Sequence, residues 1–183
     1  MKQRTFAFGL LVFMSSMLVG CAPAGQGIVP EPPYVTELAA DFGFKFEESS
    51  CYTEVLDTFS GTFTTASGED PSESIDVSLR FSDDQMKAVF DKMIEISFFS
   101  YPEIFEVPTP KSGEMAMVSP AMHFHLAVRN GGVDKSVDWL IQSKLPKNHR
   151  EITQLLGLIQ MIRDMIKSSP EYKQLPERGF GCL

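Results

Sequence analysis

The chain is poor in the residues on which catalytic and metal chemistry usually rests. Its 183 residues include three histidines, three cysteines and one tryptophan. No Gly-x-Ser-x-Gly elbow, His-Glu-x-x-His helix, phosphate-binding loop or dinucleotide fingerprint occurs. That removes the sequence-local routes to hydrolase, metalloprotease and nucleotide-binding activity. It leaves only dispersed sites, which are recognised in space and not by spacing. Positive charge is scarce as well, with 16 Lys and Arg against 24 Asp and Glu. This balance disfavours nucleic acid and argues against a basic patch gripping anionic lipid. No apolar run reaches the roughly 20 residues of a comfortable membrane span; Phe6 to Leu18 is interrupted by Gly9, Ser15 and Ser16.

What the N-terminus does contain is a pattern. Lys2 and Arg4 make it positive, and no acid occurs before Glu31. The apolar run that follows fits the h-region of a secretory signal, about 7–15 residues. It ends in Leu18-Val19-Gly20-Cys21. This tetrad resembles the lipobox of bacterial lipoproteins. The resemblance implies cleavage before Cys21, with the small Gly20 letting the peptidase reach the backbone and the Cys21 thiol accepting a diacylglyceryl group. Two or more acyl chains are what stable anchoring requires. The expected location is therefore the cell envelope, facing outside the cytoplasm: the plasma membrane of a Gram-positive cell, or the outer membrane of a Gram-negative one. The membrane partner is reached through Cys21.

Removal of residues 1–20 leaves 163 residues, about one domain. Lys2 and Arg4 leave with the signal, so 14 bases face 24 acids and the net charge is −10. Two cysteines remain beside the lipidated one, Cys51 and Cys182. An extracytoplasmic setting permits a disulfide between them; the alternative is one buried and one exposed thiol. Residues 21–40 read as the lipidated cysteine and a tether, since four prolines and two glycines among residues 22–33 exclude a helix or inner strand. Residues 41–183 then form one domain.

Within that domain, Phe42, Phe44 and Phe46 alternate with polar residues as a half-buried strand does. Thr53 to Thr65 reads as a second strand, bent near Gly61, with Val55, Phe59 and Phe63 on one parity. Residues 67–72 are a loop by composition. Ile75, Val77, Leu79 and Phe81 mark a third strand. Ser82 and Gln85 form a capping box, with Asp83 and Asp84 in the favoured first turn. The helix that follows should end near Phe99, ahead of Pro102, and residues 103–120 read as a long loop. Met122 to Val128 and Val133 to Ile141 make a hairpin. A Gly131-Gly132 turn would pair Arg129 with Asp134, His125 with Asp138 and Phe124 with Trp139; an Asn130-Gly131 turn would shift this by two. Asn148, with Glu151 three residues on, caps a last helix carrying Ile152, Leu155, Leu156, Ile159, Ile162, Met165 and Ile166, stopped by Ser168-Ser169-Pro170. The order is β-β-β-α-β-β-α, which predicts an α+β fold: an antiparallel sheet with two helices packed on one face.

Three segments, Asp57 to Thr64, Phe98 to Pro102 and Ser169 to Lys173, together resemble a group of small uncharacterised Bacillus-type lipoproteins. The likeness spans residues 41–178. It implies place and fold and brings no activity or cofactor.

His123 and His125 share one strand face and are candidate metal ligands, with His149 and Asp138 able to complete a set. The competing reading is a polar sheet face on which His125 hydrogen-bonds Asp138. Glu47-Glu48 and Asp83-Asp84 are acid pairs, but strand neighbours point apart and the aspartates start a helix. Phe98 to Phe105 is either a partner-binding patch or a lid folded over the core. The expectation for function is a non-enzymatic binding or interaction module with no cofactor, using an envelope protein partner and no nucleic acid. The alternative is an envelope enzyme or metal-binding protein that uses the His123/His125 face.

Overall fold

The computed structural model describes residues 35–67, 70–107, 117–143 and 149–176. Four strands come first: β1 (Gly43–Ser49), β2 (Thr53–Asp57), β3 (Thr62–Ser67) and β4 (Asp70–Ser78). Helix α1 (Asp83–Glu95) and a 3-10 turn (Phe98–Ser100) lead to the hairpin β5 (Met117–Asn130) and β6 (Val133–Ser143). Helix α2 (Arg150–Ser168) and the short α3 (Pro170–Lys173) follow. The strands form a single antiparallel sheet in the order β4-β3-β2-β1-β5-β6, so the fold is α+β. Three of its joints link consecutive strands of the β1–β4 meander and one links β5 to β6. The remaining joint, β1 on β5, unites meander and hairpin.

The expected three strands before the first helix are corrected to four. Thr53 to Thr65 is a hairpin and not one bent strand. Asp57 accepts the Phe59 and Ser60 N–H groups at 2.9 and 3.2 Å, and Gly61 N–H reaches Asp57 O at 2.9 Å. Gly61 has φ +69°, a conformation that glycine adopts without steric cost. The turn also resets parity: Leu56 pairs with Phe63 and both are buried, while Phe59 stands half exposed. The stretch expected as a loop at residues 67–72 is shorter, because β4 already begins at Asp70.

The capping box at Ser82 and Gln85 is present in both directions. Helix α1 ends at Glu95, earlier than expected, because Ser97 takes a left-handed conformation with φ +58° and sends the chain into the 3-10 turn. Helix α2 has His149 at its N-cap, with no side-chain capping bond; Asn148 lies outside the described residues. Ser169 ends α2 and caps α3 through Tyr172 N–H.

Alternate strand residues face the helices and make the core. Phe44, Phe46, Leu56, Phe63, Phe124, Leu126, Val137 and Trp139 meet Val89 and Met93 of α1 and Leu155, Leu158, Ile159 and Ile162 of α2. Each such side chain contributes roughly 1.5–3 kcal/mol by leaving water. Phe98, Phe99 and Tyr101 are buried in the same cluster, so the aromatic segment closes over the core. Among the described residues no helix is long and apolar enough to cross a membrane.

Candidate functional site

Because Phe124, Leu126 and Val128 point to the helices, His123, His125 and Ala127 point to the opposite face of the sheet, which none of the described helices covers. The Gly131-Gly132 turn sets the rest. Both glycines have positive φ, 60° and 76°, as a two-residue hairpin demands. Asn130 pairs with Val133, and Arg129–Asp134, His125–Asp138 and Phe124–Trp139 face one another as expected. On the other side β1 places Glu47 opposite His125 and Ser49 opposite His123. Glu47, His125 and Asp138 therefore form one row across three strands, with His123 next to it.

The Asp138 carboxylate gathers both imidazoles. His123 Nε2 lies 2.9 and 3.0 Å from its Oδ1 and Oδ2, and His125 Nδ1 lies 3.4 Å from Oδ2. The expected His125–Asp138 contact is present, but His123 is the nearer partner. The sequence pattern missed this because diagonal reach depends on strand twist and rotamer. The three side chains are only partly exposed, 42%, 35% and 40% for His123, His125 and Asp138. The Glu47 side chain makes no hydrogen bond or ion pair with any described residue. Its sequence neighbour Glu48 points the other way, toward α2, as strand alternation requires. His149 is not part of this group. It sits at the start of α2, with Nδ1 3.3 Å from Glu151 and its ring 6.5 Å from that of Phe105. Among the described residues no group of three or more His, Cys, Asp or Glu side chains is placed to hold a metal ion.

Two further features frame the face. Phe59 lies across Gly43, where an added Cβ would come within 2.4 Å of the ring. The Arg129 guanidinium stands 5.7 Å from the same ring and bonds Asp134 at 2.8 Å, which raises its pKa. At the far edge, Glu103 to Phe105 closes on β6: Asp138 N–H reaches Glu103 O and Phe105 N–H reaches Asp138 O, each at 2.8 Å. This covers part of an otherwise open strand edge. It also fixes the backbone of Asp138 from the side opposite β5. Ile104 is left 74% exposed there, beside Leu140.

The chain enters the domain at the β5–β6 turn. Buried Asn130 accepts from Ala39 N–H and donates to Glu37 O, both at 2.9 Å. Asp41 accepts from Gly131 N–H at 2.7 Å and Gly132 N–H at 3.3 Å. Chiefly through the Gly131 bond, the Asp41 pKa falls below its ordinary value. Cys51, exposed between β1 and β2, is disulfide-bonded; Cys21 and Cys182 both lie outside the described residues. No protein-family model matches the chain, and no curated protein matches it.

Proposed function

We propose that this chain is a lipoprotein precursor whose folded domain is a non-enzymatic binding module, tethered outside the cytoplasm through acylated Cys21. The tetrad Leu18-Val19-Gly20-Cys21, at the end of a positive and then apolar leader, is the observation that carries the anchoring. The division of the sheet into a helix-covered face and an open face supports the binding reading. The face that no described helix covers carries Lys45, Glu47, Thr64, His123, His125 and Asp138, exposed or partly exposed, on an antiparallel scaffold. A scaffold of this kind suits recognition of an envelope protein by a polar, pre-organised surface, with little ordering cost on binding.

Anchoring is tested by intact-mass analysis of protein extracted from its native membrane. The expected species lacks residues 1–20 and carries a diacylglyceryl mass on Cys21, and Cys21→Ser releases the domain from the membrane fraction. A retained leader or unmodified Cys21 refutes the placement. Binding is tested by photo-crosslinking from Thr64 on the open face and from Gln160 on α2. Crosslinks from Thr64 that are absent from Gln160 are expected; equal or absent crosslinks from both positions refute the assignment of the face.

A further inference from the structure

We infer that the outer edge of β6, at Leu140, is a docking site for an extended, basic segment of a partner protein, which adds to the sheet as a further strand. The inference stands beside the reading of the sheet face above and depends neither on it nor on the anchor. It starts from a ladder that stops after one rung. β6 lies at one end of the sheet. Among the described residues only Glu103 to Phe105 pairs with its outer side, through Asp138 N–H to Glu103 O and Phe105 N–H to Asp138 O. The main-chain groups of a strand point outward at every second residue, so those of Leu140 point the same way as those of Asp138. The next rung would join Leu140 N–H to Phe105 O and Val107 N–H to Leu140 O, and neither bond is made. Beyond Phe105 the chain parts from β6, with Val107 packed against the core. A strand edge with unpaired donors and acceptors is a template for another strand.

The side chains around the gap define what it takes. A hollow of about 600 Å³ opens there, within the size range of ligand sites, and Ile104, Glu106, Asp138, Trp139 and Leu140 are among its lining residues. Ile104 is 74% exposed and Leu140 42%, so two bare apolar side chains flank the unpaired backbone. Trp139 is 2% exposed, yet its indole Nε1 has no acceptor among the described residues. Charge selects the partner. Glu106 and Asp138 line the hollow, no Lys or Arg does, and the whole chain carries a net charge of −8. Such an edge draws in strands that bring Lys or Arg and repels acidic ones. An apolar residue of the incoming strand covers Ile104 and Leu140. A basic residue two positions away shares that face and meets the acids. The backbone of the same strand completes the rung at Leu140.

The test uses the full chain in non-ionic detergent micelles and a short synthetic peptide that alternates lysine and valine, with blocked ends. Trp139 is the only tryptophan of the chain, so its fluorescence reports binding at the hollow. Saturable binding is expected. Ile104→Lys and Glu106→Lys should each weaken it by about tenfold or more, while Thr64→Lys, which adds the same charge on β3, leaves it unchanged. A glutamate–valine peptide, or the first peptide methylated on its central backbone nitrogens, should bind at least about tenfold more weakly. Amide-resolved hydrogen exchange is a second readout that needs no variant. Asp138 N–H should be protected and Leu140 N–H unprotected in the chain alone, and the peptide should protect Leu140. Absence of saturable binding overturns the site. So do equal binding of the acidic or methylated peptide, binding that survives both edge substitutions, or equal weakening by Thr64→Lys. Protection of Leu140 in the chain alone also overturns it, because a segment of the same chain or a second copy then already holds the edge.

Discussion

Arg163 of α2 grips Glu48 of β1 with two nitrogens: Nε donates to Oε2 at 2.8 Å, and Nη2 donates to Oε1. The same guanidinium stands 5.6 Å from the Phe124 ring. Only 22% of the Arg163 side chain and 14% of that of Glu48 reach solvent. One ion pair thus pins the last long helix to the strand that joins the two halves of the sheet. Breaking a largely buried pair strands its partner, so Arg163→Met should lower stability by about 2–3 kcal/mol, below the fully buried range because some solvent reaches the pair. Adding Glu48→Gln should restore part of the loss. Urea denaturation of both variants checks this, and additive losses would contradict the coupling.

Asn130 ties the N-terminal segment to the hairpin turn. Its side chain is buried, so Asn130→Ala leaves Ala39 N–H and Glu37 O without their partner. A cost of about 2 kcal/mol follows from two lost bonds. Hydrogen exchange should show the largest acceleration at Ala39 in the variant, with a smaller, uniform acceleration across the core strands. Protection at Ala39 equal to wild type would show that the bond contributes nothing.

Asp41 makes the same clasp sensitive to acid. Its folded-state pKa is depressed, first by the Gly131 N–H, with burial opposing and Gly132 adding to the effect. A depressed carboxylate stabilises the fold above its unfolded pKa of about 3.9. That contribution is lost as pH falls through the lower folded value. Wild type should therefore lose stability more steeply than Asp41→Asn between pH 5 and the acid limit. Denaturation midpoints across that window supply the comparison, and parallel curves would remove the assignment.

Gly43 and Phe59 should behave as a unit. A methyl group at position 43 would sit 2.4 Å from the Phe59 ring, so Gly43→Ala must push the ring off its place beside Arg129. A loss of about 1 kcal/mol is expected in the wild type. In a Phe59→Ala background the same substitution should be neutral or stabilising, because an alanine in a strand then loses less chain entropy than glycine. A double-mutant cycle with no coupling would contradict the packing.

The disulfide at Cys51 links to the anchoring proposal. The chain has three cysteines, Cys21, Cys51 and Cys182. If the Cys21 thiol carries lipid, Cys182 is the partner left for Cys51 within the chain. Non-reducing peptide mapping of the membrane-extracted protein should show a Cys51–Cys182 peptide. A Cys21–Cys51 peptide would refute that pairing and the lipidation together.

The local features were legible because their causes are local. The capping box at Ser82, the Gly131-Gly132 turn, the hairpin register and the α2 stripe each arise from residues a few positions apart, where sterics and periodicity act directly. The hairpin hidden in Thr53 to Thr65 was not legible, because its turn is made by Asp57 side-chain bonds and a positive φ at Gly61, and period two runs straight through it.

Sequence by itself determined the start of α1, the β5–β6 hairpin and its register, the apolar stripe of α2, and that the chain is acidic and poor in catalytic motifs. Tertiary structure alone decided that β1 lies between β2 and β5. That pairing brings Glu47 to His125, Arg163 to Glu48 and Asp41 to Gly131. Contacts of this kind join residues tens of positions apart, and the chain closes such loops only when burial of the shared apolar face outweighs their entropy. Nothing in a local pattern records the outcome of that competition.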